Sequence, residues 1–312
     1  MGAVNTFAST GVTIGNVGLK KVISDRLQYI QVNDNVLYDL CKAEKSSAAN
    51  VDYWDQVTYP TVTSNNFAVA QTTSLSVSTT HVATETQSSN YIEEKAVPYR
   101  VSKRAYEAAK ASGYAGIKNM WAEAAMMAGV LLKDAYEYAL TMGRAVTGDS
   151  ATAPTMLGLA HMASSLGNTV SALNVSGNET IFKAMLATVY ADGGLRSRKK
   201  IFMVSYTNLD LIATNWTGRA SAVNTLSDKK AIDLNVEVYV SNVGVIALQP
   251  STVIGNNHSV VFEGDKIAKA FLYTPQTVNL GLTTLAQGNA ALASGMTLRY
   301  YGVATLGHIY FS

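Results

Sequence analysis

The sequence predicts an α+β fold organised around one long helix, and three observations along its 312 residues indicate this class. Apolar or small residues recur every three or four positions from Tyr114 to Val146, the spacing of one face of an α-helix. The stretch from Val51 to Tyr99 is polar and rich in β-branched residues, which favours extended structure. Helix and strand patterns then alternate from Thr155 onward, so a compact mixed region is expected after the helix.

Residues 1–50 are predicted to form an N-terminal arm. No charged side chain occurs from Met1 to Leu19, and nothing there predicts a local core. The apolar pattern between Leu19 and Cys41 predicts one or two short amphipathic helices, interrupted at Asn33-Asp34-Asn35. Cys41 is the one cysteine, so no intrachain disulfide can form and a reducing compartment suits the chain.

The Ser/Thr-rich stretch that follows predicts a long two-stranded ribbon. Serine and threonine make up 14 of the 31 residues from Pro60 to Asn90, and Glu85 is the one charged residue between Gln56 and Ile92. An isolated ribbon is marginal in water, so we expect it to lie on another copy of the chain. The alternative is a disordered linker, which the aromatic residues disfavour. The candidate inter-subunit contacts are Trp54, Tyr59, Phe67, Leu75 and Val77.

A return strand from Ile92 to Tyr99 and a short helix from Ser102 to Ala111 are predicted next, before the long helix. Thirty-three helical residues from Tyr114 to Val146 would span about 50 Å. The positions predicted to share its apolar stripe are Ile117, Trp121, Ala124, Ala128, Leu131, Ala135, Ala139 and Met142. Asp134 and Glu137 could be imagined as an acid/base pair, but a solvated or interfacial helix face is expected for both.

Beyond the long helix, short helices and strands are predicted in alternation. The expected helices run from Thr155 to Ser165, through Ile181 to Val189 up to Gly193-Gly194, and from Thr207 toward Trp216. The expected strands are Ile201–Tyr206, Val236–Val240, Gly244–Leu248, His258–Phe262, Ala268–Tyr273, Met296–Tyr301 and Val303–Phe311.

Composition favours a subunit of an assembly over an enzyme. Charged residues amount to 15% and the net charge is +2, a depletion typical of large obligate interfaces. Phosphate-loop, dinucleotide, zinc-protease and nucleophile-elbow motifs are missing, and His81, His161, His258 and His308 lie far apart in the sequence. We therefore expect no enzyme activity, no catalytic residue, no metal and no cofactor. The uncharged run from Ala124 to Leu132 is too short to cross a bilayer, so no membrane partner is expected.

One dense basic patch stands out, formed by Arg196, Arg198, Lys199 and Lys200 around Ser197. A solvated loop before the strand at Ile201 is the plain interpretation. The functional alternative is an electrostatic contact with a neighbouring subunit or with enclosed nucleic acid. A chain that condenses nucleic acid with its own tail needs a larger Lys/Arg block than this one.

The order of these parts, together with three local motifs, resembles a known family. The motifs are Lys133-Asp134-Ala135-Tyr136-Glu137-Tyr138-Ala139-Leu140, then Met156-Leu157-Gly158-Leu159, and finally Thr297-Leu298 with Ala304 to Ile309. Arm, β excursion, long helix, mixed domain and returning strands are similar to the major capsid protein of tailed bacteriophages. That fold is shared with encapsulin shells and the herpesvirus capsid floor. One departure is Met296, which stands where the family often has an acidic residue.

The resemblance implies a tailed-phage major capsid fold with five parts. These are the N-terminal arm at 1–50, the extended β loop (E-loop) at 51–99, the peripheral domain at 100–171 with its spine helix at 114–146, the axial domain at 172–254, and strands at 255–312 that return to the peripheral domain.

The implied function is self-assembly into pentamers and hexamers that form an icosahedral shell around double-stranded DNA, bound without sequence specificity. Portal, scaffold and decoration proteins are further candidate partners. The expected location is the virion, assembled in the cytoplasm of the bacterial host. An encapsulin-like protein compartment and a phage tail-tube protein are the alternatives.

Overall fold

The structure is a computed structural model, and it describes residues 35–46, 50–58, 84–102, 120–149, 152–172, 179–216, 238–281 and 286–311. Its helices are α1 (Val36–Leu40), α2 (Met120–Met142), α3 (Leu159–Leu166), α4 (Glu179–Ala191) and α5 (Tyr206–Asn215). Its strands are β1 (Lys42–Lys45), β2 (Val51–Thr58), β3 (Thr84–Tyr91), β4 (Glu93–Ser102), β5 (Asn168–Ala172), β6 (Lys200–Ser205), β7 (Val238–Ser241), β8 (Gly244–Ser251), β9 (His258–Glu263), β10 (Ile267–Gly281), β11 (Ala286–Tyr300) and β12 (Gly307–Phe311).

Helix α2 packs against a four-stranded sheet of order β1-β10-β11-β4. Strands β10 and β11 form a long antiparallel pair, β4 is antiparallel to β11, and β1 is parallel to β10. Strand patterns in the sequence predicted only the ends of this pair, from 268 to 273 and from 296 to 301, and β1 was not predicted. The hydrophobic core between sheet and helix includes Met296, Leu298 and Tyr300 of β11.

The predicted long helix is confirmed over the described residues, but its predicted face and its end were partly wrong. Leu131 is 58% exposed, whereas Leu132 and Tyr136 are 2% and 1% exposed. The Tyr136 ring fills the core while its hydroxyl donates to the carbonyl of Ser294, so this residue selects the buried face. The helix ends at Met142 and not at Val146. Residues 114–119 lie outside the described part.

The early helix end follows from a close backbone contact. The Gly158 N–H donates to the Gly143 carbonyl at 2.8 Å, and a Cβ on Gly158 would lie 2.5 Å from the Gly143 nitrogen. Val146 then forms a bridge with Thr155 instead of continuing the helix. The same contact delays α3, which begins at Leu159 and not at the predicted Thr155.

The second sheet has six strands in the order β5-β12-β9-β6-β8-β7 and separates two hydrophobic clusters. Alternate side chains of β6 and β9 point to opposite faces, as strand geometry requires. Ile201, Met203, Val260 and Phe262 join the cluster that contains α2 and α3. Phe202, Val204 and Val261 join the cluster built around Phe182 and Trp216.

This topology corrects several predictions. The final strands divide between the two sheets, since β10 and β11 belong to the sheet of α2 while β9 and β12 belong to the six-stranded sheet; the predicted domain bounds stay a prediction. Strand β5 was not predicted, and β12 is preceded by a 3₁₀ turn at Val303–Thr305. Helix α5 begins at Tyr206 because the Ser205 side chain accepts a hydrogen bond from the Asn208 N–H, so Ser205 is the cap and not Thr207. The helix at α4 is confirmed.

The ribbon is confirmed where it is described, with β2 and β3 paired antiparallel from Val51↔Tyr91 to Thr58↔Thr84. Its predicted central parts, at 61–63 and 73–78, lie outside the described residues. Of the helix predicted from Ser102 to Ala111, Ser102 belongs to β4 and the rest lies outside the described residues, as does the arm before Asn35.

Candidate assembly interface

The root of the β2–β3 hairpin is fixed by a cluster of buried charges. Arg299 donates through Nε and Nη2 to the two carboxylate oxygens of Asp52, at 2.5 and 2.7 Å. Its Nη1 donates to Glu44 Oε2 at 3.0 Å, and the Tyr301 hydroxyl donates to the same oxygen at 2.6 Å. The hydrogen bonds to Asp52 raise the pKa of the Arg299 guanidinium above its ordinary value, against the effect of burial. The arm and the ribbon, which are close in the sequence, are thus joined at one point to the distant strand β11.

The opposite strand of the hairpin is fixed by Asn90, the cross-strand partner of Asp52. Its amide nitrogen donates to the carbonyls of Leu157 at 3.0 Å and Leu298 at 2.9 Å. Its side-chain oxygen accepts from the Leu157 N–H at 2.8 Å. Because the side chain is buried, each of these hydrogen bonds is costly to lose. Both strands are therefore anchored, β2 to Arg299 and β3 to Leu157 and Leu298.

Trp54 belongs to this root and not to the free surface. Its side chain is 6% exposed, and its Nε1–H donates to the Tyr300 carbonyl at 3.2 Å. The structure thus covers Trp54 with its own chain, which differs from the expected inter-subunit contact. The residues on the opposite face, Tyr53 and Val57, are 56% and 53% exposed. Because side chains alternate along a strand, the sequence already placed Trp54 and Tyr53 on opposite faces of β2, although it did not show which face is buried.

The other ribbon candidates, Tyr59, Phe67, Leu75 and Val77, lie outside the described residues and stay predictions. A second exposed apolar surface lies on α2, away from the sheet. Its large side chains are Met126, Met127, Val130, Leu131 and Tyr138. Contiguous apolar surface of this kind is typical of protein–protein contacts.

The basic patch is an ordered loop whose charges are partly balanced. The Ser197 N–H donates to Glu263 Oε1 at 2.5 Å, and Lys199 lies 3.5 Å from Asp265. A hydrogen bond from the Ser197 hydroxyl, assisted by Lys199, lowers the pKa of Asp265. Lys200 is half-buried and donates to the Val243 carbonyl. Of the four predicted residues, Arg196 and Arg198 are the exposed arginines that can meet a partner.

The arm is attached to α2 through Glu137, which was expected on a solvated or interfacial face. That expectation was wrong, because Glu137 is fully buried and accepts from the N–H groups of Leu37 at 2.9 Å and Tyr38 at 2.6 Å. A carboxylate at these N–H groups satisfies donors that helix α1 leaves unpaired. Lys133 adds a salt bridge of 2.8 Å to Asp39.

Three of the four histidines, which lie far apart in the sequence, are close together in the structure. His161, His258 and His308 come together, with ring centroids 5.6 and 5.1 Å from His258, while His81 lies outside the described residues. Among the residues that the structure describes, no group of His, Cys, Asp and Glu side chains could hold a metal ion. None of the described helices has the length and apolarity needed to cross a membrane.

Comparison with known proteins gives a family match over nearly the whole chain. The profile of the SU10 major capsid protein family matches residues 4–302. No curated protein sequence matches the chain.

Solved capsid structures superpose on the chain at low sequence identity. The capsid asymmetric unit of cyanophage A-1(L) aligns with a TM-score of 0.60 and 14% identity, covering 93% of this chain and 96% of that one. The capsid of cyanophage P-SCSP1u aligns with a TM-score of 0.57 and 12% identity, covering 99% of each chain. The holo-SrpI encapsulin complex from Synechococcus elongatus PCC 7942 aligns with a TM-score of 0.56 and 10% identity, covering 91% of this chain and 89% of that one. The fold expected from the resemblance is thereby confirmed.

Proposed function

The chain belongs to the SU10 major capsid protein family, and from this premise we propose that its copies form the pentamers and hexamers of an icosahedral shell around double-stranded DNA. The chain is a shell-forming capsid protein and a component of the virion, and other copies of itself are its partners. Assembly in the cytoplasm of the bacterial host, with portal, scaffold or decoration proteins as further partners, completes the proposal. The role is mechanical and includes no catalytic step.

One observation carries the structural part of the proposal, namely a hairpin with a fixed root and an uncovered outer face. Charged and polar contacts hold Asp52 and Asn90 at the root, while Tyr53 and Val57 leave more than half of their surface in water. A ribbon that projects from a body gains stability when its free face packs on another surface. A neighbouring copy offers such a surface in the apolar side of α2, where Leu131 and Tyr138 are exposed.

The exposed arginines of the basic loop support a second contact. Arg196 and Arg198 stand on a loop whose backbone is held by Glu263, so their positions are defined before any partner arrives. A preorganised pair of guanidinium groups suits a carboxylate of a neighbouring subunit or a phosphate of the enclosed DNA. The net charge of +2 fits DNA that is enclosed rather than condensed by this chain.

Electron microscopy of the purified, expressed chain tests the shell. Closed hollow particles with five- and six-membered rings are expected, and a monodisperse monomer at high concentration would refute the proposal. Extraction of particles from infected cells, with nuclease digestion of outside nucleic acid, separates the two kinds of shell that share the fold. Protected double-stranded DNA supports a virion, whereas enclosed protein cargo would favour the encapsulin-like compartment.

The hairpin contact is tested by the double variant Tyr53→Ser with Val57→Ser. Both side chains are exposed, so the subunit should fold normally while particle formation falls at least tenfold in sedimentation assays. The matched control is Tyr206→Ser, which removes an exposed tyrosine from α5 and leaves the hairpin untouched. Normal particle yield from the double variant, or an equal loss in the control, would contradict a specific role of the hairpin face.

A further inference from the structure

Three histidines from three elements meet where α3 packs on the six-stranded sheet. His161 lies in the first half of α3, His258 begins β9, and His308 lies in β12. His258 Nδ1 is 2.9 Å from His308 Nε2, and the His161 ring packs edge-on against His258. His308 is fully buried. We call these three residues the histidine cluster.

Each hydrogen bond of the cluster requires a neutral ring as its acceptor. A contact between two ring nitrogens needs one N–H and one lone pair, and a doubly protonated ring offers no lone pair. His161 Nε2 is 3.3 Å from Arg144 Nε, where the guanidinium is the donor and the imidazole the acceptor. Protonation of His161 would replace this hydrogen bond with two cations that face each other. Protonation of His161 therefore removes the acceptor for Arg144, and protonation of both His258 and His308 removes the acceptor of that pair.

The surroundings offer little compensation for positive charge. Arg144 approaches from the segment after α2, and Tyr310 of β12 places its ring edge-on against His258. From α5, Asn208 is neutral and donates to the Asn256 carbonyl. Within the described part of the chain, the charged groups that act on these rings are Arg144 and the other histidines.

Burial, with a smaller effect of His258 and His161, lowers the pKa of His308 to about 4. Burial and the nearby Arg144 also lower the pKa of His258 and of His161. In the unfolded or opened chain the ordinary histidine pKa is near 6.5. The closed state therefore binds fewer protons, so its stability is complete above about pH 6.5 and declines as the pH falls toward 4. For His308 alone the opening equilibrium should rise about 30-fold between pH 7.5 and pH 5.0.

We propose that the histidine cluster is an acid-sensitive joint that holds α3 and the Arg144 segment on the β9–β12 part of the six-stranded sheet at neutral pH and releases them in acid. The joint lies next to the C-terminal end of α2, since Met142 and His258 are both neighbours of Gly255. Its release would let the α2–α3 side move relative to the six-stranded sheet. The joint can form without a shell, because the three histidines and Arg144 belong to one chain.

Hydrogen–deuterium exchange of the full chain at pH 7.5 and pH 5.0, corrected for the intrinsic pH dependence of exchange, tests the joint. In the wild type, opening of α3 and β12 should rise about 30-fold in acid. The β7–β8 pair, at the opposite edge of the six-stranded sheet from β12, is the internal reference and should change much less. An equal change in α3 and in the β7–β8 pair, or none in α3, would overturn the proposal.

The variant His308→Gln keeps a polar side chain but cannot gain a proton, and it retains every carboxylate that acid also affects. Its acid response in α3 and β12 should fall to less than threefold. A response equal to the wild type would refute the role of the cluster. Should this buried variant fail to fold at pH 7.5, His161→Gln at the half-buried ring provides the second test. Because His308 remains in this variant, its acid response should be smaller than that of the wild type but not abolished, and an unchanged response would refute the role of the cluster.

Discussion

The charged root of the hairpin gives the sharpest prediction, made with Arg299→Met. The methionine keeps most of the aliphatic volume but removes three hydrogen bonds, two to Asp52 and one to Glu44. Asp52 is almost fully buried and would remain as an uncompensated carboxylate. Removal of one partner from a buried ion pair costs about 3–5 kcal/mol. Since the Arg299 side chain is 13% exposed, we expect the lower end, about 3 kcal/mol of the free energy of unfolding.

Urea unfolding of the purified chain, followed by tryptophan fluorescence at a concentration below assembly, measures this loss. Arg196→Met is the matched control, because it removes an exposed arginine and should change stability by less than about 0.5 kcal/mol. The double variant Arg299→Met with Asp52→Leu removes both charges and should be less destabilised than the sum of the two single variants. A loss below about 1 kcal/mol for Arg299→Met, or strict additivity in the double variant, would refute a buried ionic root.

Three further predictions concern other contacts of the same chain. Glu137→Gln weakens the acceptors for the N–H groups of Leu37 and Tyr38 and should lower stability by about 1–2 kcal/mol in urea unfolding, whereas the Asp134→Asn control should not. Gly158→Ala should lower the free energy of unfolding by about 2 kcal/mol, because the added Cβ would collide with backbone atoms. Gly129→Ala, in the interior of α2, should raise it by about 0.5 kcal/mol, because the added Cβ has room. Equal Tm shifts for the two variants would contradict this difference in packing. Burial raises the pKa of the Cys41 thiol, so a thiol reagent at pH 8 should label it only after unfolding.

Local patterns in the sequence were sufficient for the existence of the main elements. The 3.6-residue period predicted α2, the apolar spacing from Ile181 to Val189 predicted α4, and the uniformly apolar run at 201–204 predicted a buried strand. Short strands such as β1 and β5 were missed because each pairs in parallel with a strand far away in the sequence, and four or five residues alone carry little period.

The root of the candidate interface could not be predicted for a related reason. Asp52 and Arg299 are 247 residues apart, and neither has a local feature that identifies its partner. Tyr136 and Glu137 look polar in a helical pattern, yet both are buried because their polar atoms meet groups more than ninety positions away. When the partner of a polar side chain is distant in the sequence, the sequence pattern alone does not show that this side chain lies on the buried face of a helix. Alternation on β2 did separate Trp54 from Tyr53, and it could have identified the free face.

The six-stranded sheet separates two hydrophobic clusters, and successive residues of β6 pack in different clusters. A change in the volume of Met203 requires a compensating change in residues of its own cluster, such as Val260. A change at Phe202 requires compensation in the other cluster, for example at Val261 or Phe182. One cluster can accordingly be remodelled while the other keeps its shape, as long as the number of residues in each strand is preserved. A residue inserted into β6 or β9 would turn every following side chain of that strand toward the opposite cluster. Insertions and deletions should therefore accumulate in the connecting segments and not inside these two strands.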